Sequence, residues 1–220
     1  MTMLWIEDGE RLIHDGRCFD PLKLEWQPNK VSGDAGVAVT PAEALRHLAA
    51  SHKLRRVPIG IIGPREATPG QYALAEQMGE ALANYGLQLL CGGKNGVMEA
   101  ACKGHARGGG LPVGLLPDEE WHAANPYVAI PIATGIGPAR NAIIARACLV
   151  LVAVGGGVGT LSEMALGLQF NRLVLAMADA PAVDGVDRVS SVEDVIARSA
   201  DIPQRVILPV CHKTNMLPLY

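Results

Sequence analysis

Rings are scarce in this chain: aromatic residues make up 4% of 220 positions, with only two phenylalanines. A core so poor in rings must be filled by aliphatic and small side chains, which favours helices packed closely on a sheet over a β-sandwich. Charge of one sign is lacking too. Lysine and arginine number 19 against 22 aspartates and glutamates, for a net charge of −3. No basic stripe is visible, so the electrostatic footprint of a general nucleic-acid binder is missing. No apolar run approaches the ~20 residues that a membrane-spanning helix needs. The opening MTMLWIEDGERLIHDG has no positive segment leading into an apolar one, so no secretory signal is expected and a cytoplasmic setting is. The five cysteines (Cys18, Cys91, Cys102, Cys148 and Cys211) form no C-x-x-C pair. They read as small reduced side chains, three of them in apolar segments. The six histidines make no H-E-x-x-H or similar spacing, so no metal site is expected.

Two nucleotide motifs are missing as well. Without G-x-x-x-x-G-K-[ST] there is no Walker loop, which argues against nucleoside triphosphate hydrolysis. G-x-G-x-x-G fails because Thr160 stands where its third glycine belongs. The strand after the first βα unit ends in Cys91-Gly92-Gly93 rather than in the acid that would hold a ribose, so hydride transfer from a nicotinamide cofactor is a weak reading.

What the chain does have is glycine, 25 residues of it, and the most informative run is VLVAVGGGVGTLSE at positions 150–163. A buried strand breaks into Gly155-Gly156-Gly157, passes Val158-Gly159-Thr160 and enters a helix. The first turn of a helix leaves N–H groups without intrahelical partners, and its dipole places partial positive charge there. Strand, glycine turn and helix start make an anion site, most often for phosphate. Gly155, Gly156, Gly157 and Gly159 leave the backbone accessible, and Thr160 adds a hydroxyl. Glu163 sits one turn on, near the mouth; a carboxylate is a poor phosphate ligand, so it would face another part of the substrate.

Around this run the chain alternates. Strands are expected at Val57–Gly63, Leu87–Cys91, Leu111–Leu116, Tyr127–Ile132, Cys148–Val154 and Leu173–Met177, with helices between them. Thr68-Pro69-Gly70-Gln71 and Thr40-Pro41-Ala42-Glu43 are capping boxes with proline at the first helical position, and Ser190-Ser191-Val192-Glu193 opens the last helix by the same logic. A further helix is expected from Pro138 to Ala147. The pattern implies an α/β fold: a doubly wound, mostly parallel, Rossmann-like sheet with helices on both faces. Residues 1–53 form a strand-rich arm with hairpin signals at Asp8-Gly9 and Asp15-Gly16, and residues 54–220 form the ligand-binding domain.

In such a sheet the loops after the strands share one rim. Gly63 and Arg65 follow the first strand; Gly92, Gly93, Lys94 and Asn95 follow the second; the triple glycine follows the fifth. Together they imply one backbone-lined cleft, with Arg65 and Lys94 as its cations. Arg140 and Asn141 open the helix that feeds the glycine strand. An arginine in a first turn opposes the helix dipole unless an anion compensates; Glu163 could do so, in which case the two form a plain ion pair.

GGKNGVMEAACKGHARGGGLPVGLLP and GPARNAIIARACLVLVAVGGGVGTLSE resemble the Rossmann-like superfamily of the Lonely Guy phosphoribohydrolases, which also holds molybdenum cofactor carrier proteins and DNA-processing proteins. The likeness spans roughly residues 57–177. It implies that Gly156, Gly157, Gly159 and Thr160 cradle a 5′-phosphate, with Arg140 and Glu163 at the catalytic positions. A carboxylate there would stabilise the oxocarbenium character that develops as an N-glycosidic bond breaks. Two departures stand out. Gly155 replaces the proline of P-G-G-x-G-T-x-x-E, and Pro138-Ala139-Arg140-Asn141 replaces a form like H-E-R-K. The triple glycine is more similar to the carrier branch, where the cleft holds a phosphorylated pterin and need not catalyse. The expectation is therefore a small phosphorylated ligand, foremost a nucleotide whose N-glycosidic bond the site would hydrolyse if it is a nucleoside 5′-monophosphate, with non-catalytic carriage of the molybdenum cofactor as the alternative and no further cofactor required. The resemblance also implies a homodimer or higher homo-oligomer.

Overall fold

A computed structural model describes residues 4–29, 36–51 and 54–200. The arm is an antiparallel sheet of β1 (Leu4–Glu7), β2 (Arg11–His14), β3 (Arg17–Asp20), β4 (Glu25–Pro28) and β5 (Val37–Val39), ordered β4-β3-β2-β1-β5. Asp15 and Gly16, at φ 47° and 69°, form the two-residue turn between β2 and β3, the left-handed pair that matches strand twist. Helix α1 (Pro41–Ala50) starts on the expected capping box: the Glu43 amide donates to Thr40 Oγ1, and the Thr40 amide donates to the Glu43 carboxylate. Its Ala44 and Leu48 pack on Leu4, Leu12 and Phe19.

The core alternates β6 (Ile59–Ile62), α2 (Pro69–Asn84), β7 (Leu89–Cys91), α3 (Val97–Arg107), β8 (Val113–Leu116), β9 (Ile130–Ala133), α4 (Arg140–Ala147), β10 (Val150–Val154), α5 (Val158–Gln169), β11 (Leu173–Met177), β12 (Asp187–Arg188) and α6 (Val192–Ala200). The seven strands are parallel, in the order β12-β11-β10-β6-β7-β8-β9. This is the doubly wound, Rossmann-like α/β architecture. Ile59 and Ile61 of β6 face the cluster with α2, α3 and α6, and Ile62 faces the cluster with α4 and α5. Each central strand is thus apolar on both sides, as a sheet covered on both faces requires. Cys91, Cys102 and Cys148 are buried free thiols, and burial pushes Cys148 up to about 12. Cys211 lies outside the described residues. Among the described residues no helix is long and apolar enough to cross a membrane.

Several elements begin later than the sequence suggests. β8 starts at Val113 rather than Leu111, because Pro112 has no amide to give a neighbour. β6 starts at Ile59 for the same reason at Pro58, whose carbonyl still accepts from Leu149 N. Tyr127 and Val128 lie outside β9: both amides donate to Asn125, one to its side chain and one to its carbonyl, which makes a turn of the expected strand start. Cys148 belongs to the end of α4, its amide donating to Ile144 O. Gly137–Ala139 is a 3-10 turn, so α4 begins at Arg140. The last helix is capped one residue on from Ser190, with the Asp194 amide donating to Ser191 Oγ at 3.0 Å.

Candidate functional site

After β6 the chain builds the sheet outward through β7, β8 and β9, then crosses back to lay β10 on the other side of β6. The strand order reverses between β6 and β10, and an open α/β sheet offers its ligand crevice beyond the strand ends at that point. A cleft of about 340 Å3 lies there. Gly63, Pro64 and Arg65 line it from the β6 end; Gly157, Gly159, Thr160 and Glu163 line it from α5; Arg140 and Asn141 line it from α4.

Gly157 precedes α5 with no side-chain cap. The first amide to find a helical acceptor is that of Leu161, which donates to Gly157 O. The amides of Val158, Gly159 and Thr160 are therefore left to the cleft. No atom lies within 4 Å of where a Cβ would stand at Gly157 or Gly159, so the helix end is open to a ligand. Gly155 and Gly156 do not line the cleft. Gly155 is buried at φ +64°, and a Cβ there would meet Gln71 Nε2 at 2.2 Å. The expectation that Gly155 touches the ligand gives way to a supporting place beneath the loop, and Gly156 packs on the Thr160 side chain.

Arg140 and Glu163 come together. Arg140 Nη1 donates to Glu163 Oε1 at 2.9 Å and to Asn141 Oδ1 at 2.8 Å. Asn141 Nδ2 donates to Ser162 Oγ, which donates to Gly159 O. One hydrogen-bonded chain thus runs from the guanidinium to the glycine loop. Both charged side chains are 8% exposed, so the carboxylate compensates the arginine in the first turn of α4. Arg140 Nε is buried without a hydrogen-bond partner. Burial pushes the Glu163 carboxyl up to about 7 against the opposing pull of Arg140.

That shift has a stability consequence. The folded chain keeps a proton on Glu163 that the unfolded chain releases near the ordinary value of 4.5. Stability is expected to fall by about 3 kcal/mol as pH rises from about 4.5 to about 7, then to level off. Glu163→Gln removes this dependence, so urea midpoints at about pH 5 and pH 8 should converge in the variant and differ in the wild type. Equal slopes in the two proteins would mean that Glu163 is not the group responsible.

The second glycine loop contributes differently from the expectation. Gly92 is buried under Arg140, and a Cβ there would stand 2.2 Å from Nη2; its service is to house the guanidinium. Gly93 packs on Leu116 and Gly114. Lys94 does not charge the cleft, because its ammonium is paired with Asp118 and donates to Ala123 O, both at 2.9 Å. Asn95 is exposed and lies outside the lining residues. Met98, Pro117 and Pro138 form an apolar side of the cleft that sequence reasoning missed. It also missed the second task of Gln71, whose Oε1 accepts from Thr68 N while Nε2 donates to Asp179 Oδ1 at 2.6 Å. Among the described residues no group of three or more histidine, cysteine or acidic side chains stands together to hold a metal.

The fold defines a Rossmann-like α/β protein with a cleft where its strand order reverses. The chain belongs to the SLOG cluster4 family, whose model matches residues 56–207. The molybdenum cofactor binding protein of the phototrophic bacterium Rippkaea orientalis is 37% identical, with a TM-score of 0.64 over 67% of this chain and 98% of that one. The molybdenum cofactor carrier protein of Chlamydomonas reinhardtii is 34% identical, with a TM-score of 0.62 over 67% and 98%. An uncharacterized protein of Archaeoglobus fulgidus is 36% identical over 143 residues, 65% of this chain and 94% of its own.

Proposed function

We propose that this protein binds a small phosphorylated ligand at the start of α5 and carries it without cleaving it, with the molybdenum cofactor, a phosphorylated pterin, as its cargo. The observation that carries this reading is the convergence of three open α5 amides with the Arg140 side chain in one cleft. The phosphate takes the amides of Val158, Gly159 and Thr160, and the Thr160 hydroxyl adds a donor. Arg65 supplies cationic charge at the rim. The planar part of the ligand rests on Met98, Pro117 and Pro138. The carrier assignment is supported by the two molybdenum cofactor proteins at 34–37% identity and by the glycine at position 155. The Glu163 carboxylate is already engaged by Arg140, as a structural pair would be.

A second reading, hydrolysis of a nucleoside 5′-monophosphate, is favoured by one feature. The Glu163 carboxyl, raised to about 7, is suited to accept and return a proton near neutrality.

Self-association is part of the proposal. Val158 at the cleft mouth is 85% exposed, and Leu161 and Ile143 on α5 and α4 are also open, an apolar rim that a second copy would cover. Native mass spectrometry of the purified chain reads assembly and cargo at once: a dimer or larger mass with a pterin adduct is expected. Gly157→Val puts a branched side chain where the phosphate would sit while leaving the fold unstrained, so the adduct is lost and the thermal midpoint is kept. A monomer mass would remove the oligomer, and an undiminished adduct in the variant would remove the phosphate site. Release of free base from a panel of nucleoside 5′-monophosphates, abolished in Glu163→Gln, would replace the carrier with the hydrolase.

A further inference from the structure

The arm lies outside the stretch matched by the family model, and where it meets the core it encloses a second cavity. This space, about 190 Å3, is at the opposite pole of the sheet from the phosphate cleft: Ile59, Leu87 and Leu149, at the starts of β6, β7 and β10, form its floor. Phe19, Leu45 and Leu48 of the arm and α1 also line it. Besides Gln88, two features break the apolar lining. Ser199 of α6 is 5% exposed, and its Oγ is buried without a hydrogen-bond partner, a state that native interiors rarely leave unanswered. Lys23, Arg55 and Arg56 also line the cavity, and all three are exposed. The acid beside them, Asp20, already accepts from the amides of Leu22 and Lys23 and from Gln27 Nε2. One carboxylate against three cations leaves the rim positive.

We propose that this cavity binds a small amphipathic anion, an unbranched aliphatic carboxylate whose chain fills the apolar interior. Its head group meets Lys23, Arg55 and Arg56 at the exposed rim. Burying the chain supplies the affinity, and the rim supplies the choice of charge. The site is independent of the phosphate cleft, since the length of the core strands separates them.

Octanoate is the probe, titrated by calorimetry into the full chain. Binding with a submillimolar Kd is expected, with 1-octanol at least about ten-fold weaker because it lacks the charge. Arg55→Glu combined with Arg56→Glu alters only exposed side chains, so an unchanged thermal midpoint certifies the fold while octanoate weakens about ten-fold or more. Gly157→Val leaves octanoate binding unchanged, which separates failure of this site from failure of the phosphate reading. Absence of octanoate binding, equal affinity for octanol, or indifference to the reversed rim would each overturn the proposal. So would tighter octanoate binding after Ile207→Asp with Leu208→Asp, an outcome that assigns the cavity to the chain's own C-terminal segment.

Discussion

Gly155→Pro is expected to lower stability by about 3 kcal/mol or more and to abolish binding of the phosphorylated ligand. Proline needs φ near −65°, and Gly155 is held at +64°. Any Cβ at this position meets Gln71 Nε2 at 2.2 Å, and Gln71 cannot yield freely because it is tied to Thr68 N and to Asp179. The Gly155 amide also donates to Met177 O, a bond that proline forfeits. Gly155→Ala keeps that amide and should cost less, about 1–2 kcal/mol for the left-handed backbone before any shift of Gln71. Chemical denaturation gives the first quantity and calorimetry with the ligand the second. A proline variant with wild-type midpoint and affinity would mean that this loop adopts the proline-containing form of the phosphoribohydrolases without difficulty, and the carrier reading would lose one of its supports.

Arg140→Ala should be the most costly change within the cleft, and its cost should depend on pH. Truncation leaves Glu163 buried without its cation. Breaking a buried pair in this way costs about 3–5 kcal/mol while the survivor is charged. With Arg140 gone, burial acts on the carboxyl unopposed and raises it further above 7, so the variant avoids the full penalty by protonating. The loss is therefore expected to be largest near pH 8 and to shrink toward pH 5, as read by urea unfolding at both. Ligand affinity should fall by about 10–100-fold through the loss of a charge-assisted donor. Arg140→Lys should not restore it, because a single ammonium cannot reach Glu163, Asn141 and a ligand as the guanidinium fork does. A loss of stability that is the same at both pH values would show that Glu163 is not what Arg140 protects.

Much of this was legible in the residues themselves. The βα alternation, both capping boxes and the glycine run at 155–160 are local signals, each set by neighbours a few positions apart, and they yielded the sheet and the open end of α5. Pairings across the fold were not legible. Gln71 reaches Asp179, 108 positions away, and nothing near either residue announces it. Lys94 looked like a cleft cation because its loop is rich in glycine; Asp118, 24 positions on, takes the charge. The glycines at 92 and 155 were read as backbone offered to a ligand, whereas each instead yields space to a side chain, Arg140 in one case and Gln71 in the other. Strand starts were misjudged wherever a proline or an asparagine turn removed the first amides, as at Pro58, Pro112 and Asn125.

The reversal of strand order between β6 and β10 also fixes when the cleft can exist during folding. β6 finds β7 about 30 residues ahead of it, pairing Ile59 with Leu89, and the chain can extend that half-sheet as it emerges. The other edge of β6 waits for β10, where Ile59 pairs with Val150. Closing a loop of that length carries an entropic cost before any contact rewards it, and such non-local pairings are slow to form. Until then the edge of β6 is bare, and the amides of α5 have no opposite wall. The ligand can thus recognise only a chain whose two half-sheets have already joined, so its binding reports that long-range step of folding rather than a local one.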